Sequence, residues 1–74
     1  MAKADPKKMF GRKLRGLREA AGLTQERLAQ IVGLDRSYVG GVERGERNIS
    51  LENIHKLASG LQVKPSHLLD TDDG

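Results

Sequence analysis

The segment DRSYVGGVERGERN, residues 35–48, concentrates side chains that donate hydrogen bonds to nucleic acid. An arginine guanidinium can pair with guanine O6 and N7, and arginine, serine, asparagine and tyrosine also donate to phosphate oxygens. The rest of the chain offers little for catalysis or metal binding. It has no cysteine, and its two histidines, His55 and His67, have no acidic or thiol companion at catalytic spacing. We therefore expect a binding protein rather than an enzyme, without a metal or cofactor.

Charge is unevenly distributed along the 74 residues. Residues 1–36 hold nine Lys or Arg against four Asp or Glu, whereas residues 37–74 hold four against six, so the net charge is +3. A basic front half suggests a polyanion partner, although an ordinary solvated surface explains the pattern equally well. No apolar run approaches the roughly 18 residues of a membrane span, and no signal-peptide pattern is present. We expect a small cytoplasmic protein with no membrane partner.

Apolar periodicity and helix punctuation predict an all-α fold of five short helices around one aliphatic core. Alternating β-branched runs, the usual signal for strands, are missing. The first helix is expected from Lys7 to Ala21, and the fifth begins at Pro65 and carries Leu68 and Leu69. The second, third and fourth helices should begin after the N-caps Thr24, Asp35 and Ser50 and end near Gly33, Gly45 and Gly60. The predicted domain covers residues 7–70, between a flexible arm at 1–6 and an acidic tail at 71–74.

The second and third predicted helices, joined by the short connection VGLD, form a helix-turn-helix. This packing needs a small residue at Ala29 and a positive φ angle at Gly33. It also needs apolar side chains at Val39 and Val42 to seat the third helix. All four are present at the required separations. Over residues 10–69 the chain resembles the lambda-repressor-like (Cro/XRE) helix-turn-helix regulators of transcription, and the stretch DRSYV resembles the controller proteins of restriction–modification systems most.

The resemblance implies a sequence-specific regulator of transcription that binds double-stranded DNA with its third helix in the major groove. It implies a homodimer on a near-palindromic operator, and we expect no small-molecule effector. It also implies that Glu43 pairs with Arg18 and thereby ties the third helix to the first. The expected base contacts are Arg36, Ser37 and Tyr38, and the expected phosphate contacts are Gln25, Arg44, Arg47 and Asn48.

Gly40 and Gly41 raise a separate question, because each glycine inside a helix costs about 1 kcal/mol relative to alanine. On a helical wheel both lie away from Val39 and Val42, on the outward face among polar residues. We hypothesise that the missing side chains let the third helix approach base edges closely. The alternative is that glycine is merely tolerated on an exposed face.

A dimer is expected because one recognition helix covers few base pairs. Several apolar residues lie at the end of the fourth helix and in the fifth helix. They are more than the core of so small a domain is expected to bury. The predicted dimer surface consists of Leu61, Val63, His67, Leu68 and Leu69.

Two other classes of function remain open at the level of sequence. One is an antitoxin-type protein-interaction module that also binds DNA, although the short acidic tail weighs against it. The other is a membrane-surface or RNA binder that uses the basic first helix. Within the DNA-binding interpretation, the sequence does not separate a phage-type repressor from a restriction–modification controller.

Overall fold

The first helix begins at an aspartate followed by a proline. In the computed structural model, which describes residues 5–70, the Asp5 carboxylate accepts a hydrogen bond from the Lys7 backbone N–H at 2.9 Å. Pro6 takes the first helical position, where its missing N–H has no helical partner to lose. The predicted arm at 1–6 was therefore too long, because Asp5 and Pro6 belong to the helix start. Residues 1–4 and the predicted tail at 71–74 lie outside the described residues.

Within the described residues the chain forms five α-helices, in agreement with the predicted all-α fold. Thr24 and Ser50 accept capping hydrogen bonds from Arg27 and Asn53, as predicted. Asp35 occupies the N-cap position of the third helix, but its side chain makes no capping hydrogen bond. The helices are α1 (Pro6–Ala20), α2 (Gln25–Val32), α3 (Arg36–Glu43), α4 (Leu51–Leu61) and α5 (Pro65–Leu69).

Each helix contributes at least one apolar side chain with no exposed surface to a single core. These side chains are Leu14, Leu28, Val39, Leu57 and Leu68, in chain order. Burial of one such side chain contributes about 1.5–3 kcal/mol, so no helix is dispensable in so small a domain. Ala21 and Leu51 lie at helical spacing from core residues of α1 and α4 and would be expected on their apolar faces, but both are exposed, Leu51 to 70%.

The turn between α2 and α3 has the geometry that the sequence predicted. Gly33 adopts a φ angle of 75°, in the region that favours glycine, and ends α2. Leu34 N–H then donates to Ala29 O at 2.9 Å. Ala29 is buried in the core, and α2 packs against α3.

The end of α4 differs from the prediction. The helix continues through Gly60 to Leu61, and Gln62 adopts the left-handed conformation with a φ angle of 60°. Gly60 has a different role, because a Cβ at this position would overlap the Val32 side chain of α2. Gly60 therefore allows α2 and α4 to approach closely rather than ending a helix.

Two of the five residues predicted for the dimer surface are core residues instead. Leu61 is 8% exposed and Leu68 is fully buried, because α5 folds back against both α4 and α1. Val63 is partly buried against the core. His67 and Leu69 are exposed, Leu69 to 54%. The apolar surface that the monomer leaves exposed in this region is thus smaller than the sequence predicted.

Gly11 and Gly16 both lie in α1. Substitution of each by alanine distinguishes the effect of close packing from that of helix propensity. A Cβ at Gly11 would overlap the backbone carbonyl oxygens of Val42 and Glu43, whereas a Cβ at Gly16 would meet nothing within 4 Å. We expect Gly11→Ala to lower the free energy of unfolding by roughly 1–3 kcal/mol through overpacking. Gly16→Ala should raise it by up to about 1 kcal/mol. Urea denaturation at one protein concentration measures both, and equal midpoints would contradict the close approach of α1 to α3.

Candidate nucleic-acid interface

A buried ion pair joins the last residue of α3 to α1. Arg18 Nε donates to Glu43 Oε2 at 2.6 Å, and Arg18 Nη2 donates to Glu43 Oε1 at 3.1 Å. The two side chains are only 9% and 3% exposed. These paired bonds to the carboxylate raise the pKa of Arg18 above its ordinary value. The pair holds α3 in one orientation on α1.

The same carboxylate also reaches α2. Gln25 Nε2 donates to Glu43 Oε1 at 2.9 Å, and Arg18 Nη1 donates to Leu23 O just before α2. Gln25 was expected to contact phosphate, but its hydrogen bond to Glu43 was not predicted, since the two residues lie on different helices. One hydrogen on the Gln25 amide nitrogen is left for another acceptor. The network thus brings the start of α2 against the end of α3.

Arg36 and Ser37 lie exposed in the first turn of α3. Within residues 5–70, no ion pair or side-chain hydrogen bond holds the Arg36 guanidinium. An arginine at this position keeps its donors available to a partner outside the chain. The geometry is compatible with the predicted base contact.

The helical wheel was wrong about the exposure of Gly40 and Gly41. Both glycines are buried, because long side chains of the protein itself lie over them. A Cβ at Gly40 would lie 3.1 Å from Arg44 Nη1 and 3.3 Å from Gln25 Oε1, and a Cβ at Gly41 would lie 3.1 Å from Arg47 Nε. The glycines therefore make room for these three side chains. At these two glycines, the helix surface is covered rather than open to base edges.

Tyr38 is half-buried and links α3 to α4. Its hydroxyl oxygen accepts a hydrogen bond from Asn53 Nδ2 at 3.1 Å, which leaves the hydroxyl hydrogen free to donate elsewhere. The Arg47 guanidinium carbon lies 5.5 Å from the centroid of the Tyr38 ring, within cation–π distance. Arg47 thus folds back across α3, between the Tyr38 ring and Gly41. Asn53 was not predicted, since it comes from another helix.

The loop after α3 carries an acidic residue among its cations. Arg44 Nε donates to Glu46 Oε2 at 3.0 Å, and both side chains are about 60% exposed. This hydrogen bond lowers the pKa of Glu46 and raises that of Arg44, and the charge of Arg47 lowers the pKa of Glu46 further. The Glu46 carboxylate therefore stays ionised to lower pH. Asn48 is exposed at the end of the same loop.

Four of the predicted contact residues come together around the two glycines: Gln25, Tyr38, Arg44 and Arg47. Arg36 and Ser37 lie at the opposite end of α3. Among residues 5–70, no three potential metal ligands form a group that could hold an ion, and no helix is long and apolar enough to cross a membrane. The site is the exposed first turn of α3 together with hydrogen-bond donors beside the rest of the helix, which suits recognition of an extended anionic partner.

Comparison with known proteins finds a helix-turn-helix family and a related control protein. The helix-turn-helix family model HTH_3 matches residues 14–68. Over 63 residues, 84% of this chain and 78% of the relative, the sequence is 44% identical to control protein C.BamHI of Bacillus amyloliquefaciens.

Two solved structures of controller proteins are also similar. The restriction-modification controller protein C.AhdI of Aeromonas hydrophila is 61% identical, with a TM-score of 0.83 over 84% of this chain and 94% of that one. The restriction-modification controller protein C.Esp1396I, solved as a tetramer in complex with its natural 35 base-pair operator, is 28% identical. Its TM-score is 0.81 over 92% of this chain and 90% of that one.

Removal of Glu43 tests the buried ion pair. We expect Glu43→Ala to lower the free energy of unfolding by about 3–5 kcal/mol, because it leaves the Arg18 charge buried without its counterion. Glu19→Ala breaks the exposed pair with Arg15 at 3.1 Å and should cost no more than about 0.5 kcal/mol. Urea denaturation compares the two, and a variant already unfolded in buffer counts as the larger loss. Similar midpoints would show that Arg18–Glu43 does not hold α3.

Proposed function

This chain belongs to the helix-turn-helix family HTH_3, and on that premise we propose that it is a transcriptional regulator that binds a specific sequence of double-stranded DNA. One observation carries the proposal. The inner face of α3 is held by the Arg18–Glu43 pair and by buried valines, while its first turn presents Arg36 and Ser37 to solvent. A helix held in this way offers the same donors to every partner, which sequence recognition requires.

Each of the predicted contact residues has a role in this proposal. Arg36 enters the major groove and pairs bidentately with a guanine, and Ser37 contacts a base edge or a phosphate beside it. The Tyr38 hydroxyl, which retains a free hydrogen, donates to the DNA. The cluster beside the glycines and the following loop contact the phosphate backbone, which positions α3 without reading sequence. The proposed phosphate contacts are Gln25, Arg44, Arg47 and Asn48.

We place the protein in the cytoplasm as a homodimer on a near-palindromic operator. Successive major grooves on one side of the duplex lie about 34–36 Å apart, and a twofold dimer presents two copies of α3 at this spacing. The operator-bound oligomer of C.Esp1396I supports the arrangement. The similarity to control proteins favours regulation of a restriction–modification system over a phage repressor.

The exposed apolar residues indicate where the second copy binds. Leu69 lines a groove with Phe10, Ile49 and Ile54, and Leu51 lies exposed in the first turn of α4, three residues before Ile54. Since Leu51 and Leu69 stay exposed in the monomer, we assign this surface to a second copy of the chain. It replaces the dimer surface predicted from sequence and retains Leu69 from that set.

Arg36→Ala tests base recognition. Against a duplex selected from a random pool by the wild-type protein, we expect a loss of roughly 10- to 100-fold in affinity per half-site, because one bidentate pair discriminates by about 1–3 kcal/mol. The preference for guanine at that position should disappear. Arg15→Ala, which removes the same charge from an exposed site on α1, should leave the base preference unchanged. Fluorescence anisotropy gives the affinities, and repeated selection gives the preferences. An unchanged preference in Arg36→Ala would contradict base recognition by this residue.

Leu69→Ser tests the dimer surface. We expect sedimentation equilibrium to show a weaker dimer by tenfold or more, because the substitution removes apolar surface that a partner would bury. Ile31→Ser is the matched control, since Ile31 is 45% exposed on α2 and lies outside this groove. Both variants should keep the wild-type circular dichroism spectrum. Equal dimer affinity in the two variants would place the interface elsewhere.

A further inference from the structure

The Glu46 carboxylate lies among residues that the proposed function assigns to phosphate. It pairs with Arg44 at 3.0 Å, and the positive charge of Arg47 acts on it as well. Glu46 is exposed and is not needed to satisfy a buried group. A neutral or basic residue would serve phosphate binding better at this position, so its presence needs an explanation.

We propose that Glu46 acts as an internal competitor of DNA phosphate for Arg44 and thereby limits binding to DNA of unrelated sequence. The inference rests on the proposed function and adds a residue that weakens the binding of DNA phosphate. The carboxylate engages the Arg44 Nε in the free protein. A phosphate that approaches the same guanidinium must displace this bond or lie beside a like charge. Either event weakens a contact that depends on charge alone.

Both the operator and unrelated DNA would lose this phosphate contact, but it represents a larger share of the affinity for unrelated DNA. Binding to unrelated DNA comes almost entirely from phosphate contacts and the counterions that they release. Binding to the operator adds base contacts through Arg36, which the carboxylate does not touch. The genome offers about 10⁶–10⁹ competing sites, so a regulator is more effective when its purely electrostatic affinity is kept low. Glu46 limits that affinity without altering the core or α3.

The comparison of Glu46→Gln with Glu19→Gln tests this inference. Glu19 forms an equally exposed ion pair with Arg15 at 3.1 Å on α1, so both substitutions raise the net charge by one and release one arginine. We expect Glu46→Gln to bind an unrelated duplex roughly fivefold more tightly at low salt, the effect of one unit charge about 4 Å from another in water. The slope of log affinity against log salt should steepen by about 0.9, as for one additional phosphate contact. Glu19→Gln should show neither change beyond a small effect of net charge.

The double variant Arg44→Gln/Glu46→Gln separates competition for Arg44 from a general effect of charge. If Glu46 acts through Arg44, the gain from Glu46→Gln disappears once Arg44 has been replaced. The inference is wrong if Glu46→Gln binds unrelated DNA no more tightly than Glu19→Gln does, or if the gain survives without Arg44. A wild-type protein without preference for any duplex would instead overturn the proposed function, so the two failures are distinguishable.

Discussion

The carboxylate of Glu43 is the point at which the first three helices meet. Glu43 is the last residue of α3. Its carboxylate accepts two hydrogen bonds from Arg18 of α1 and a third from Gln25 at the start of α2. A buried ion pair is a weak source of net stability, because an apolar pair of similar volume often serves as well. Its contribution here is orientation. The planar guanidinium donates both hydrogen bonds to the carboxylate only in few geometries, which restricts the rotation of α3 about its axis. In the orientation that forms all three bonds, Arg36 is exposed to solvent.

Glycines let the backbones approach closely enough for this network to form. Gly11 places α1 directly against the carbonyl oxygens at the end of α3, within reach of the Arg18–Glu43 bonds. Gly40 and Gly41 act on the opposite side of the helix, where they admit the side chains of Arg44, Gln25 and Arg47. The two glycines in α3 forgo roughly 2 kcal/mol of helix propensity. In return, parts of these long polar side chains lie against the helix backbone at the two glycines.

Local features of the sequence predicted the helices, whereas features that depend on several elements were missed. Thr24, Ser50 and Pro65 mark helix starts because capping and a fixed φ angle act within one turn. The wrong assignment of Leu68 to a dimer surface has the opposite cause, since its burial depends on how α5 folds onto α1 and α4. The helical wheel failed at Gly41 for the same reason. It treats α3 as an isolated cylinder and has no means of showing that Arg47, six residues later, returns to cover it.

The distribution of charge around α3 explains why net charge is a poor guide to this surface. Of the arginines on or near α3, Arg18 is neutralised by Glu43, Arg44 is paired with Glu46, and Arg47 lies against the Tyr38 ring. Arg36 is the one cationic residue of α3, and it has no such partner in the described part of the chain. If all of these cations were unpaired, the surface would bind any phosphate backbone strongly, and only a small part of its affinity would come from contacts with bases. In the function proposed above, partners from the same chain weaken the phosphate contacts of Arg44 and Arg47, so a larger share of the affinity for DNA comes from Arg36, the residue proposed to pair with guanine.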